Sequence, residues 1–455
     1  MLHYGYKFQK YLTFPKSSNN RRGHLYKWCI SLVLDVLIMK LAEILAQITS
    51  DIIYNQAFKE LARKLPKYFT RNRKMSFEDL MIFMLFHLKC SIPTALRRYF
   101  KTKGEDTKMS QQSLSEARDK LTVSAFVHLY RKTAEAIVEH RTEKWHGYRL
   151  YATDGTKIAL PDDIKLLAHY GAVGRNATSP TAQASAMYDV LNDTLVDVAI
   201  VPISTDERSL ALQHINATKD LCINDRKLCL YDRGYASFDF INELETQGLF
   251  YLMRVKTKFN ADIDAQTKTD GYIWLVKDDK RIRVRVIKFA LDSGETETLI
   301  TNITDKRLGK KAFKRLYFMR WPIETKYGVI KKKLQLENFS ARSVEGIQQE
   351  FFASIYLVNF MASAAFDVQQ DIEDSRKDKV NKHEYKANLN ELVGILKDKL
   401  ILAISQRSPS KQAELIKDIL DEAKRFVVPI RQNRTVDRNP NPRTSDFHYN
   451  QKVNC

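Results

Sequence analysis

Apolar residues recur at spacings of three and four through LAEILAQITSDIIYNQAFKELARKL (41–65), the period of a helix buried along one side. SFEDLMIFMLFHL (76–88) is apolar nearly all round, which predicts a helix enclosed by its neighbours. LRRYFKTKGEDTK (96–108) reads as a polar, basic connector. Ser113 and Glu116 have capping-box spacing, so a helix is expected to start there. The period changes at residue 148. YRLYATDGTKIALP (148–161) is β-rich around an expected turn at Asp154-Gly155. QASAMYDVL (183–191) and LVDVAIVPI (195–203) read as paired strands joined through Asn192-Asp193. A polar helix follows over about 206–220, then the strand KLCLY ending at Asp232, the helix SFDFINELETQG (237–248) and the strand LFYLMRV. Strands and helices in this order predict a mixed α/β sheet.

Residues 257–303 interrupt this order with a β-rich insertion. RIRVRVIKF (281–289) alternates cation and aliphatic, which predicts a strand with one wet, positive face, and ETETLITNIT (295–304) is its expected neighbour. Residues 310–333 and 347–366 return to a helical pattern. The Pro/Asn/Arg-rich 427–455 reads as an extended arm. No internal repeat is evident.

Composition narrows the partner. Of 455 residues, 44% are hydrophobic, enough for a core of several domains and too many for a disordered chain. Lys and Arg number 74 against 54 Asp and Glu, and a net charge of +20 points to a polyanion, above all nucleic acid; a basic chain without such a partner is the plainer reading. The five cysteines form no CxxC pair, which argues against a structural zinc or a disulfide framework and fits a reduced, cytoplasmic setting. WCISLVLDVLI (28–38) is too short to span a bilayer and is broken by Asp35. Residues 1–38 are treated as an N-terminal extension of uncertain origin, with Met39 as a sensible start, and no membrane span is expected.

Three carboxylates are candidates for chemistry: Asp154 and Asp232, each at an expected strand end, and Glu324, two residues after Pro322 in an expected first helical turn. Taken singly, each has a plainer explanation: a turn residue, a helix cap, and a carboxylate favoured by the helix dipole. Together they could hold hard divalent cations, which take oxygen ligands and in pairs clamp both oxygens of a phosphoryl displacement. On a continuous helix Tyr317, Arg320, Glu324 and Lys331 share one stripe, too polar for a core. That stripe is either a solvated, salt-bridged face or the edge of a site.

Those four residues fill the pattern Y-x2-R-x3-E-x6-K, which resembles the signature of the IS4 family of bacterial insertion-sequence transposases. YATDGTKIALP and LYDRGYAS resemble that family's two aspartate regions, and the β-rich insertion lies where the family places one. The resemblance covers most of 39–435. It implies an α/β fold: an RNase H-like mixed-sheet catalytic core (146–256 and 304–368) with a β-rich insertion (257–303). It also implies an α-helical N-terminal DNA-binding domain (39–145) and a helical C-terminal region with a basic tail (369–455). It implies DDE chemistry, with Asp154, Asp232 and Glu324 as catalytic metal ligands for two Mg²⁺ ions, Mn²⁺ being a substitute. Tyr317, Arg320 and Lys331 would contact transposon-end DNA. The implied partners are terminal inverted repeats, target DNA and a second copy of the chain on that DNA, in the cytoplasm at the nucleoid. In relatives that cut through a hairpin, a tryptophan of the insertion stacks on a displaced base, which makes Trp274 a candidate; as a strand aromatic it is rather expected to be buried. His169, His214 and the cysteines are read as structural, with no triad-like arrangement and no nucleotide cradle for ATP. Two other classes stay open: another metal-dependent nuclease with the same core, and a DNA-binding protein whose site is inactive.

Overall fold

A run of short helices precedes the first strand: α1 (Leu41–Ile53), α2 (Gln56–Ala62), α3 (Phe77–Leu85), α4 (Ile92–Thr102), α5 (Gln111–Arg118) and α6 (Val123–His140). The computed structural model describes residues 39–71, 73–86, 90–106, 108–174, 177–291, 294–377 and 383–431. The extension 1–38 and most of the expected arm, from 432 onward, lie outside the described residues. Residues from Leu41 on form one compact unit; of the other unit, Met1–Lys40, only Met39 and Lys40 are described.

Two local readings shift. The expected connector at 96–108 is largely α4: Ile92, Ala95, Leu96, Tyr99 and Phe100 repeat at helical spacing and are buried, while Arg97, Arg98 and Lys101 stay in water. The cap of α5 is Ser110 rather than Ser113: the Ser110 hydroxyl accepts the Ser113 N–H at 3.1 Å. Ser110→Ala is therefore expected to lower unfolding stability by about 1 kcal/mol in urea titrations, and Ser113→Ala by only a few tenths. Equal losses would refute the assignment.

Eight strands build one sheet: β1 (Tyr148–Ala159), β2 (Thr181–Asp189), β3 (Thr194–Pro202), β4 (Arg226–Tyr231), β5 (Phe250–Val255), β6 (Asp270–Lys277), β7 (Lys280–Ala290) and β8 (Thr296–Thr301), in the order β3-β2-β1-β4-β5-β8-β7-β6. β1, β2 and β3 are antiparallel neighbours, as the expected hairpin requires. α7 (Ile164–Tyr170) links β1 to β2, and β4 and β5 run parallel to β1 after the crossover helices α8 (Glu207–Ala217) and α9 (Phe238–Thr246). Three antiparallel strands flanked by two parallel ones make this an RNase H-like core. The insertion, with its short α10 (Ala261–Ala265), widens the same sheet, β8 pairing antiparallel with β5. Its cationic face is wet only in part: Arg285 is 5% exposed, forks onto Asp270 with two bonds of 2.7 Å and reaches the Leu308 carbonyl.

The strand pleat sends alternate side chains to two cores. Leu150, Ala152, Leu228, Leu230 and Leu252 face the larger one. Tyr151, Cys229, Tyr231, Tyr251 and Met253 face the smaller one, packed with Ala211 and Ile215 of α8 and Phe240 of α9. The larger core is spanned by α13 (Val344–Asp374), which follows α11 (Lys310–Phe318) and α12 (Pro322–Lys332) and precedes α14 (Leu389–Ser405) and α15 (Pro409–Ala423). By length and composition alone α13 could cross a membrane, but 83% of its most apolar stretch is buried inside the protein. It also carries buried polar groups with assigned partners. The Asp367 carboxylate accepts the Leu41 and Ala42 N–H groups at 3.2 and 2.8 Å, capping α1 from a distance, and Glu350 pairs with Arg118 of α5 at 2.8 Å. The N-terminal helices and the sheet thus share one core.

Candidate active site

β1 is longer than its parallel neighbour. Ala152 pairs with Leu230 at the end of the β1–β4 ladder, and Asp154 and Asp232 each lie two residues beyond that pair, within reach of one another's charge. β4 ends at Tyr231, and the Asp232 carboxylate is fixed there by the Gly234 N–H at 2.7 Å. Asp154 is not in a turn. β2 pairs with β1 as far as Ala159, opposing Asp154 with Ala186, and holds the strand straight through Gly155. The glycine serves space rather than bending: a Cβ there would lie 3.3 Å from Glu207 Oε1 and 3.6 Å from the Ala184 carbonyl.

α12 delivers the third carboxylate. The Tyr327 hydroxyl donates to the Asp154 carbonyl at 2.8 Å, and one turn later Lys331 donates to the Lys157 carbonyl. The helix therefore lies along β1 and sets Glu324, in its first turn, beside Asp154. The expected unbroken helix over 310–333 is interrupted. Pro322 has no N–H to offer Phe318 and its ring crowds that carbonyl, so α11 ends and residues 319–321 turn before α12 begins. Arg320 sits in this turn, 6% exposed, between two acids: its guanidinium donates to Glu324 at 2.8 Å and lies 3.5 Å from Asp154. Burial, and then the charges of Asp232 and Glu324, push Asp154 up to about 6 against the pull of the Gly155 N–H and of Arg320. The charges of Asp232 and Glu324 thus both reach Asp154.

The remaining predicted residues are more scattered. Tyr317 is 4% exposed and packs in the core rather than facing solvent. Lys331 is held by the Lys157 carbonyl and by Glu337 at 3.4 Å. Trp274 reverses the expectation of burial: on the outer strand β6 it is 49% exposed, with Arg281 over its ring at 5.1 Å, and neighbouring Tyr272 carries Arg283 at 4.4 Å. Ser185, His214 and Asp197 do form a hydrogen-bonded row, with contacts of 2.9 and 2.8 Å, contrary to the expected absence of one. His214 and Ser185 are each 1% exposed, so the row is a satisfied polar pin between α8 and the sheet. Sequence reading passed over Tyr327, Tyr235 and Glu207. Nothing in TDERS sets Glu207 apart from an ordinary first-turn acid.

Residues 145–360 match a family model described as "Transposase DDE domain". The chain is 22% identical over 350 residues to the transposase InsG for insertion sequence element IS4 of Escherichia coli (strain K12), covering 72% of this chain and 76% of that one. It is 19% identical over 437 residues to the transposase for insertion sequence element IS231D of Bacillus thuringiensis subsp. finitimus, covering 81% and 88%. Residues 145–360 thus carry a DDE transposase domain, and the chain is similar to the IS4-type transposases. Among solved structures, the piggyBac transposase synaptic complex with hairpin DNA aligns over 82% of this chain and 85% of its own, at 9% identity and a TM-score of 0.47.

The transposase is thus a DNA-acting enzyme of a family that works with divalent metal ions. Its candidate donors suit such an ion: the carboxylates of Asp154, Asp232 and Glu324 are hard oxygen ligands, and burial, followed by the charges of Asp232 and Glu324, already raises Asp154. Among the described residues no three acidic, histidine or cysteine side chains are closed around one metal position. Arg320 supplies the compensating charge between Asp154 and Glu324 instead.

Proposed function

We propose that the transposase cleaves DNA at the terminal inverted repeats of its own element and joins the freed ends to target DNA, in a cut-and-paste reaction. The protein acts as a homodimer on DNA, within the bacterial cytoplasm at the nucleoid, and uses two Mg²⁺ ions for which Mn²⁺ substitutes. The observation that carries this reading is the convergence of Asp154 and Asp232, each two residues beyond the last pair of the β1–β4 ladder, with Glu324 brought alongside by α12. These three carboxylates would hold the metal. Bound there, divalent cations stabilise charge on the attacking and leaving oxygens at phosphorus.

The chain's own groups do the rest. Asp154, pushed up to about 6, must give up its proton to act as a ligand. Arg320, once freed from the acids, presents a planar fork suited to phosphate. Tyr327 holds the β1 backbone at Asp154 against α12, keeping two of the carboxylates in register. Exposed Trp274, braced by Arg281, offers a ring face on which an unpaired base of a hairpin intermediate could stack. Residues 39–145 serve as the DNA-binding region.

The decisive assay incubates linear fragments carrying the inverted repeats that flank the gene with the full chain, Mg²⁺ and a target plasmid. Breaks confined to the element ends, together with joined products, are expected. Cleavage without joining would point to a nuclease, and no end-specific cleavage would overturn the proposal. Lys331→Ala is expected to weaken end binding and to reduce the slope of log affinity against log salt by about 1, the loss of a single phosphate contact. An unchanged slope would remove Lys331 from the DNA interface.

A further inference from the structure

Glu207 opens α8, whose start is capped by the Asp206 carboxylate accepting the Ser209 N–H at 2.8 Å. α8 packs on the face of the sheet opposite α12, in the smaller core. The Glu207 side chain reaches back over the strand ends. Its Oε1 would be 3.3 Å from a Cβ at Gly155, and its Oε2 3.9 Å from a Cβ at Gly234, a position that is also 3.0 Å from Asp232 Oδ1. One imagined methyl group at Gly234 would therefore touch both carboxylates. The two glycines that follow Asp154 and Asp232 leave open the space through which Glu207 approaches them. The approach is braced, because Arg208 donates to the Gly234 carbonyl at 3.1 Å. Among the described residues Glu207 makes no side-chain hydrogen bond or ion pair; the Arg208 charge acts on it without contact, against the charges of Asp232 and Asp206.

Tyr235 supplies an independent observation. It is 1% exposed and its hydroxyl has no partner, while Glu207, Asp154 and Asp232 are its charged neighbours. Buried hydroxyls are normally paired, and leaving one unpaired costs about 1–3 kcal/mol. An orphaned hydroxyl among three carboxylates is the arrangement expected where a cation and its water complete the set.

We propose that Glu207 is a fourth carboxylate of the metal site, ligating from the α8 side the divalent cation that Asp232 holds, with the Tyr235 hydroxyl orienting its water. This inference rests on the proposed DDE site and extends it by one ligand.

The test titrates Mn²⁺ alone into the full-length wild-type chain and into Glu207→Gln, Glu207→Asp, Gly155→Ala and Asp232→Asn, by calorimetry and electron paramagnetic resonance. Far-UV circular dichroism confirms folding of each. Glu207→Gln is expected to weaken Mn²⁺ binding about tenfold, and Glu207→Asp to restore part of it. Gly155→Ala, which crowds Glu207 without changing charge, should weaken binding in the same direction. If Glu207→Gln and Gly155→Ala bind like wild type while Asp232→Asn does not, Glu207 is no ligand and the three-carboxylate site stands. If Asp232→Asn also binds like wild type, the site reading itself fails and takes the role of Glu207 with it.

Discussion

Asp232→Asn is expected to lower cleavage of element ends by about a thousandfold or more while end binding in a mobility-shift assay stays within about twofold. Asn keeps the shape of the side chain and an oxygen to accept the Gly234 N–H, so the loop after β4 retains its anchor. What it removes is the negative charge that reaches Asp154 from Asp232. Metal stabilisation of charge at phosphorus contributes several kcal/mol to such a displacement, and each 1.36 kcal/mol is tenfold in rate. Binding, by contrast, rests mainly on the chain's cations, of which this substitution removes none. Cleavage by Asp232→Asn above a tenth of the wild-type rate would refute the assignment. Weak cleavage accompanied by lost binding would mean that Asp232 supports structure rather than chemistry.

What was legible in the sequence was whatever local periodicity encodes. The β2–β3 hairpin around Asn192-Asp193, the strand ending at Asp232, the Ser237-capped helix and the Pro322 helix start all appear where pattern and turn chemistry place them. Three of the misreadings have a common cause: a partner distant in sequence decides the outcome. Asp154-Gly155 looks like a turn until β2 pairs across it. Trp274 looks like a core residue until β6 proves to be the outermost strand of its sheet. Arg285 looks wet until Asp270 and the Leu308 carbonyl close over it. The connector at 96–108 is a different kind of miss, since its apolar spacing was present in the sequence and was masked by Arg97, Arg98 and Lys101 on the opposite face.

The candidate site divides along the same line. Its three carboxylates were visible as residue types at informative positions. Arg320 as an internal counter-ion was not visible, and neither was Glu207. Helical spacing placed Arg320 four residues before Glu324, but only the break at Pro322 and the docking of α12 on β1 bring Asp154 to its other side. Glu207 lies 53 residues after Asp154, on the far face of the sheet, and glycines 155 and 234 reveal its role only once the strands are assembled.

With divalent metal removed by EDTA, Asp154→Asn is expected to be more stable than the wild type at pH 8 by about 2 to 3 kcal/mol, although it cannot cleave DNA. The sign follows from linkage. Asp154 titrates near 3.8 in the unfolded chain and near 6 in the folded one, so the folded state holds its proton more tightly. Its contribution to stability is complete below about pH 4 and is lost as the pH rises through 6. Above that, the folded protein must carry a desolvated charge facing Asp232 and Glu324, and a shift of about two units corresponds to about 2 to 3 kcal/mol. Asn carries no such charge, so the advantage of the variant should vanish near pH 4, grow between pH 4 and 6 and level off above. Urea unfolding followed across that range checks the curve. Saturating Mg²⁺ should then narrow or reverse the gap at pH 8, because a cation stabilises the charged wild-type site and finds a poorer one in the variant. A variant less stable than wild type at pH 8 in EDTA would mean that Arg320 already compensates the acids fully. The strain assigned to this cluster, and with it the argument that the site is built to receive a cation, would then be lost.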